Sequence, residues 1–378
     1  MNLGKLSVGT FLRGYWQQQP LLIKNAFPNF IDPITPEELA GLACEEGVDA
    51  RLVFTRKHNW ELKSGPFKER DFTTLSKRNW TLLVQAVDQF VPEVKALLQE
   101  VAFLPNWRID DVMISYATPN GGVGPHFDYY DVFLLQGLGN RIWKTGQHCT
   151  TADINRTNSG LKLLREFHSE QEWLLEPGDV LYVPPGIAHW GVSVDNSLCY
   201  SIGFRAPSVS EMVLSYSDAV SDKLTADQRY QDPKLKNPLL PGEIDSSALQ
   251  HMRRLLNQAL GDDLEQARWF GCYMTTPTYP ELIFAPAAIP DLGKGNINLT
   301  TNPSSRFAWQ QLDDEVLVFT DGQCLQLPTS PLLRRLLLLL PLVNTVFTVK
   351  PFCKHKVCRS LLTTLLAQGS LLVTDRPL

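Results

Sequence analysis

The sequence is short of three things, and each shortage excludes something. Cysteine is sparse and scattered: Cys44, Cys149, Cys199, Cys272, Cys324, Cys353 and Cys358 are an odd set with no common spacing. That excludes a disulfide framework and leads us to expect a reducing, cytoplasmic compartment. Long hydrophobic runs are missing. The most apolar stretch, Leu336 to Val343, is interrupted by Pro341 and falls far short of the ~20 residues that span a bilayer. No apolar segment follows Met1-Asn2-Leu3-Gly4-Lys5, so neither a secretion signal nor a membrane partner is expected. Positive charge is not in excess either. Lys and Arg number 35 against 40 Asp and Glu, a net charge of −5. A broadly basic nucleic-acid binder is excluded by that balance, though a local basic face is not. What remains is an ordinary globular composition, 44% hydrophobic and 20% charged over 378 residues. At roughly 150 residues per domain, that is room for two or three domains.

Composition divides the chain into three zones. Residues 1–206 are rich in Pro, Gly, aromatic and β-branched residues. Thr35-Pro36-Glu37-Glu38 marks a helix start, with Thr35 as cap and Pro36 in the first turn. Apolar spacing predicts a second helix over Trp80 to Leu98. Short β-like runs follow: 112–116, 132–136, 141–144, 180–183, 189–194 and 198–204. Such a series predicts an all-β barrel or sandwich. Residues 207–299 read as helical, with runs over 247–259 and 264–273 between Pro-rich pieces. In residues 300–378, a hairpin turns at Asp321-Gly322, and apolar helices over 331–340 and 355–367 precede a last strand at 371–374. That order suits a winged-helix-like module.

The chemistry concentrates in the first zone. In Gly124-Pro125-His126-Phe127-Asp128, His126 and Asp128 are two apart, so extended backbone turns both to one face. His189 closes the segment Glu176-Pro177-Gly178-Asp179 through Pro184-Pro185-Gly186-Ile187-Ala188-His189, a turn, a strand and a second turn. Two His and one carboxylate on one side of a metal, with the other positions open, form the facial triad of oxygen-activating Fe(II) sites. Arg141 and Trp143 share a strand face. An arginine directed into a barrel is costly unless it meets an anion. A dicarboxylic co-substrate, chelating the metal at one end and meeting Arg141 at the other, would account for it.

These residues, with Tyr15-Trp16-Gln17-Gln18-Gln19-Pro20-Leu21-Leu22-Ile23-Lys24, resemble the JmjC branch of the 2-oxoglutarate-dependent oxygenases. Segments 110–115 and 130–133 narrow the resemblance to bacterial ribosomal oxygenases, which hydroxylate an arginine of a large-subunit ribosomal protein. The resemblance covers the whole chain. It implies a JmjC/cupin-like double-stranded β-helix (jelly roll) over 1–206, a helical dimerisation region over 207–299 and a winged-helix-like domain over 300–378. His126, Asp128 and His189 match the iron ligands. Arg141 matches the residue that binds the distal carboxylate of 2-oxoglutarate, and Ser115 a hydrogen-bonding partner of the same group. Tyr130 and Asp131 fall at the site mouth, where they would position a cationic substrate side chain. The implied co-substrates are O₂ and 2-oxoglutarate, with Fe(II) as metal, and the implied assembly is a homodimer. Two rival readings stay open: the same chemistry on a histidyl residue, a methylated lysine or a small molecule, and a non-catalytic cupin-type assembly module.

Other motifs carry less. Cys353-Lys354-His355-Lys356-Val357-Cys358 has no zinc-knuckle spacing and no fourth ligand nearby. Lys350, Lys354, Lys356 and Arg359 read as a solvated helix face, in a zone with 8 basic and 5 acidic residues. RNA contact there is left open. Trp190 either lines the pocket or packs on the barrel wall.

Overall fold

The computed structural model describes residues 1–56, 59–155, 160–233, 242–294 and 297–375. Among these, β1 (Leu21–Ile23), β2 (Ala50–Arg56), β3 (Asn59–Ser64), β4 (Trp80–Val84), β5 (Ile109–Ala117), β6 (Val132–Gln136), β9 (Val180–Val183) and β11 (Ser197–Phe204) build one sheet, ordered β1-β9-β6-β11-β5-β4-β2-β3. A second sheet, ordered β10-β7-β8, is made of β7 (Arg141–His148), β8 (Ser169–Leu175) and β10 (Ile187–Ser193). Every pairing in both sheets is antiparallel. The sheets pack as a β-sandwich, as the short-strand pattern predicts. All eight residues of β11 are buried, as befits a strand paired on both edges and covered on both faces.

Local chemistry explains the elements. In α1 (Val8–Gly14) the Ser7 hydroxyl accepts from the Thr10 amide. In α2 (Pro36–Leu42) Thr35 caps the helix, as expected, and Glu38 returns the contact in a reciprocal capping box. The turn before β9 needs Gly178, whose φ is +87° and whose Cβ would meet the Phe27 carbonyl at 2.3 Å. Asp179 closes that turn by accepting from the Asn25 and Glu176 amides and from Lys24 Nζ at 2.6 Å.

One expectation is corrected. No single helix covers Trp80 to Leu98. Trp80–Val84 is β4, an interior strand paired with β2 and β5 and almost wholly buried. Helical turns come only later, in short pieces that include α4 (Pro92–Ala96), after α3 (Glu69–Thr73) earlier in the chain. Ala86, at φ +53°, breaks any continuous helix between them. The apparent helical spacing joined a buried strand to a separate turn.

The middle zone holds α5 (Val209–Ser221), α6 (Ser246–Ala259) and α7 (Asp263–Thr275). The C-terminal zone has its own core, with Leu299, Val316, Leu333, Leu336, Leu362 and Leu365 among its buried residues. It contains the meander β13 (Phe307–Gln311), β14 (Glu315–Thr320) and β15 (Gln323–Pro328). It also contains the sheet β16-β12-β17, from β12 (Asn298–Thr301), β16 (Val346–Thr348) and β17 (Leu371–Thr374), with α8 (Pro331–Leu339) and α9 (Lys356–Gln368). No described helix is long and apolar enough to cross a membrane.

Candidate metal centre and its pocket

His126 lies outside the named strands but pairs with His189 of β10 through two backbone hydrogen bonds, of 3.0 and 2.8 Å. That short bridge places two imidazoles side by side, with ring centroids 4.2 Å apart. Phe127 turns the other way, into a small apolar cluster, so Asp128 returns to the side of His126. One ligand atom from each of His126, Asp128 and His189 falls within 4.8 Å of the other two. His189 Nε2 and Asp128 Oδ2 are 3.5 Å apart.

The backbone sets the ring orientations. His126 Nδ1 lies 2.9 Å from the Gly124 carbonyl and His189 Nδ1 lies 3.0 Å from the Ile187 carbonyl. With Nδ1–H donating in each, Nε2 keeps its lone pair for a metal. Burial first, then the neighbouring His126, pushes His189 down to about 4, so it is a neutral ligand near pH 7. Gly124 can be nothing larger. Its φ is +84°, and a Cβ would stand 2.8 Å from Trp60 and from Leu163.

The triad opens into a cavity of about 810 Å³, mouth included, between the two sheets. Arg141 and Trp143 enter from β7; Ser115 and Asp111 enter from β5. Arg141 is buried, and its Nη1 and Nη2 donate to Ser115 Oγ and Ser197 Oγ, each at 2.9 Å. No ion pair among the described residues includes it, and its Nε has no partner. Trp143 Nε1 and Thr81 Oγ1, on the same cavity, are also unpartnered. A buried guanidinium neutralised by nothing, beside two idle polar atoms, calls for an anionic ligand. The donor set therefore fits both groups that the sequence implies, a divalent metal and a carboxylate co-substrate.

The other wall is acidic. Asp111 accepts from Gln85 Nε2 at 2.6 Å. Burial first, then the charges of Asp110 and Asp88, pushes its carboxyl up to about 7. Tyr130 lines the cavity and its hydroxyl is hydrogen-bonded to Asp128. The Asp128 charge is the largest of several causes that raise the Tyr130 phenol above its ordinary value.

The expectation for Asp131 is corrected. It is fully buried and does not line the cavity. It accepts from Tyr182 Oη at 2.7 Å, Gln17 Nε2 at 3.0 Å and Arg108 Nη2 at 3.4 Å. Its neighbour Tyr130 points to the pocket, and alternation turns Asp131 into the core. Trp190 packs against Trp60 and Phe167, on the wall and outside the cavity lining. In the Cys353–Cys358 segment, His355 caps α9 by accepting from the Cys358 amide. The triad is the only metal-compatible cluster of three such residues among the described ones. Sequence reasoning missed Thr81 and Ser197 at the cationic end, and Gln85, Asp110 and Asp111 as the acidic wall. The pair Asp110-Asp111 was visible as a signal, without an assigned role.

Comparison with known proteins agrees with this geometry. The family model described as "JmjC domain" matches residues 96–212. Escherichia coli ribosomal protein uL16 3-hydroxylase is 39% identical over 286 residues, 74% of each chain. The crystal structure of E. coli YcfD superposes with a TM-score of 0.84 at 33% identity, covering 99% of this chain and 100% of that one. YcfD, a ribosomal oxygenase, has also been solved with cobalt and 2-oxoglutarate, and that structure gives a TM-score of 0.81 at 32% identity over 99% of both chains.

Proposed function

This chain belongs to the JmjC-domain ribosomal oxygenases, and on that premise we propose that it hydroxylates an arginine side chain of the large-subunit ribosomal protein uL16, using Fe(II), O₂ and 2-oxoglutarate. The observation that carries the reading is Arg141, a buried cation with no counter-charge among the described residues, lining the same cavity as a His-Asp-His cluster.

His126, Asp128 and His189 would hold the iron, and Arg141, supported by Ser115 and Ser197, would take the distal carboxylate of 2-oxoglutarate. When bound, iron and 2-oxoglutarate supply the oxidation: O₂ is consumed, succinate and CO₂ leave, and one oxygen atom enters a C–H bond. The protein's part is positioning. The backbone carbonyls of Gly124 and Ile187 fix the two imidazoles. The guanidinium, oriented by Ser115 and Ser197, would take a carboxylate of the co-substrate and so align it. Asp111, with Asp110 and Tyr130 beside it, offers a carboxylate to an incoming guanidinium. A histidyl substrate would leave that acidic wall without a partner, so the arginine reading is favoured over it. A pure assembly module would have no use for a buried unpaired arginine.

The same reading gives the chain an oxygenase domain (1–206), a dimerising helical region (207–299) and a winged-helix-like domain (300–378). Val209, Val213 and Leu214 on α5 are 57–72% exposed, which supports a second copy covering them. Seven unbonded cysteines fit a cytoplasmic setting.

Two measurements test this. Intact masses of the large-subunit proteins, with and without the gene, should differ in uL16 alone, lighter by one oxygen atom in the deletion; no difference would overturn the substrate. Arg141→Ala should raise the KM for 2-oxoglutarate by about a hundred-fold, the scale of losing charge-assisted hydrogen bonds in a buried site. An unchanged KM would place the co-substrate elsewhere.

A further inference from the structure

Strand β5 carries Asp111 and Ser115 into the reaction pocket, and the start of that strand is held from the C-terminal zone. Arg306, just before β13, donates from Nη1 to the Ile109 carbonyl at 2.6 Å. Its Nη2 donates to the Asp110 carbonyl at 2.6 Å and to Asp110 Oδ1 at 3.0 Å. The loop that presents Arg306 is itself fixed. Asp321, in the turn between β14 and β15, accepts from the Arg306 amide, from Ser305 Oγ and from Ser370 Oγ at 2.6–2.8 Å. On the other side of Asp110, Arg205 donates to Oδ1 at 3.2 Å and ties the Met274 and Thr276 carbonyls at the end of α7 to the same point. Both arginine side chains are largely buried, at 15% and 18% exposure, while the Asp110 side chain they share is 42% exposed, so the bonds to backbone carbonyls are the better shielded part of the contact.

We propose that Arg306 is a positioning residue of the oxygenase reaction: through its hydrogen bonds to Ile109 and Asp110, the C-terminal zone fixes the start of β5 and so aims the Asp111 carboxyl at the substrate cation. This rests on the reading of Asp111 as the guanidinium acceptor. Asp111 faces charge from every side. Asp110 is its neighbour on β5, Asp88 stands on the turn 87–89, and Tyr130 and Tyr279 approach from their loops. Lys95 is beside Asp88, and Arg205 is beside Asp110. Burial first, then the Asp110 and Asp88 carboxylates, opposes ionisation of Asp111; the Gln85 hydrogen bond and, least, the Arg306 charge favour it. Without Arg306, Asp111 ionises only at higher pH, and the strand that aims it loses three hydrogen bonds.

The test uses the full chain, with recombinant uL16 as substrate. Arg306→Ala should raise the KM for uL16 at pH 7 about ten-fold or more, as expected for lost charge-assisted hydrogen bonds. The acidic limb of kcat/KM for uL16 should move to higher pH, while the KM for 2-oxoglutarate should rise less than the KM for uL16, since Ser115 lies further along β5 and is paired there with Leu83 of β4 and Cys199 of β11. Arg306→Lys, which keeps the charge, should return the limb toward its original position. An unmoved uL16 KM and limb in Arg306→Ala, or an equal loss of 2-oxoglutarate affinity, would overturn the proposal. Should Arg306→Ala fail to fold, Arg306→Gln removes the charge while keeping an amide donor: the KM for uL16 should still rise and the limb still move to higher pH, and an unmoved KM and limb overturn the proposal. Asp111→Asn separates the two claims. If that variant keeps the normal uL16 KM, the acceptor reading fails; if it loses substrate while Arg306→Ala does not, only the positioning role fails.

Discussion

Arg141 and Asp131 show how far residue identity goes. Each is a buried charge, and their surroundings give them opposite tasks. Arg141 has two hydroxyls and no counter-ion among the described residues, which suits it to an anion from outside. Asp131 is saturated by a phenol, an amide and a guanidinium, so it holds the fold. Asp131→Asn therefore should lower stability by about 3 kcal/mol, the cost of disturbing a buried, paired carboxylate. The KM values for uL16 and for 2-oxoglutarate should stay normal. Chemical denaturation and steady-state kinetics on one preparation check this; a raised uL16 KM at full stability would return Asp131 to the substrate site. His126 and Asp128 were legible in sequence because a two-residue spacing shares a face in any extended backbone. The side on which Tyr130 and Asp131 fall was not, because that depends on which face the sandwich covers.

At the scale of elements, strands bounded by Gly, Pro or Asn were readable, and 132–136 and 180–183 coincide with β6 and β9. Strand β4 was not. Its burial on both faces removes the period-two alternation, leaving an apolar run that also suits a helix. Helices α6 and α7 followed their spacing closely, since one face of each meets water. On α5, Val213 and Leu214 are 57% and 63% exposed, an unfavourable state for a lone chain. The expected consequence is a dimer. Val213→Asp with Leu214→Asp should halve the solution mass measured by light scattering; a wild-type chain already monomeric at micromolar concentration would refute the role of α5.

Across the whole molecule, the acidic wall would set the proposed substrate contact against stability. Burial and two neighbouring carboxylates hold Asp111 at about 7, above its ordinary 3.8. Only the ionised form attracts a guanidinium, so kcat/KM for uL16 should rise as pH increases through about 7. Folding responds in the opposite sense. The folded state binds this proton more tightly than the unfolded chain, so the contribution to stability is fully present below about pH 4 and is lost as pH rises through 7. Asp111→Asn should be more stable than wild type at pH 8, lose that advantage at pH 4, and bind uL16 poorly at both. Thermal melts at the two pH values check the sign; equal stability differences would mean that Asp111 is not protonated preferentially in the fold.

The sequence by itself determined the face shared by His126 and Asp128, the strand face shared by Arg141 and Trp143, and the series of short strands. All of these rest on short spacings and turn chemistry, which act before any long-range contact forms. Tertiary structure alone decided that Ser197 joins Ser115 beside Arg141, which carboxylate lines the pocket, and that Arg306 reaches a strand 196 residues earlier in the chain. The reason is physical: charge state and hydrogen-bond partnership follow from burial and from neighbours distant in sequence, and neither exists until the sheets close on each other.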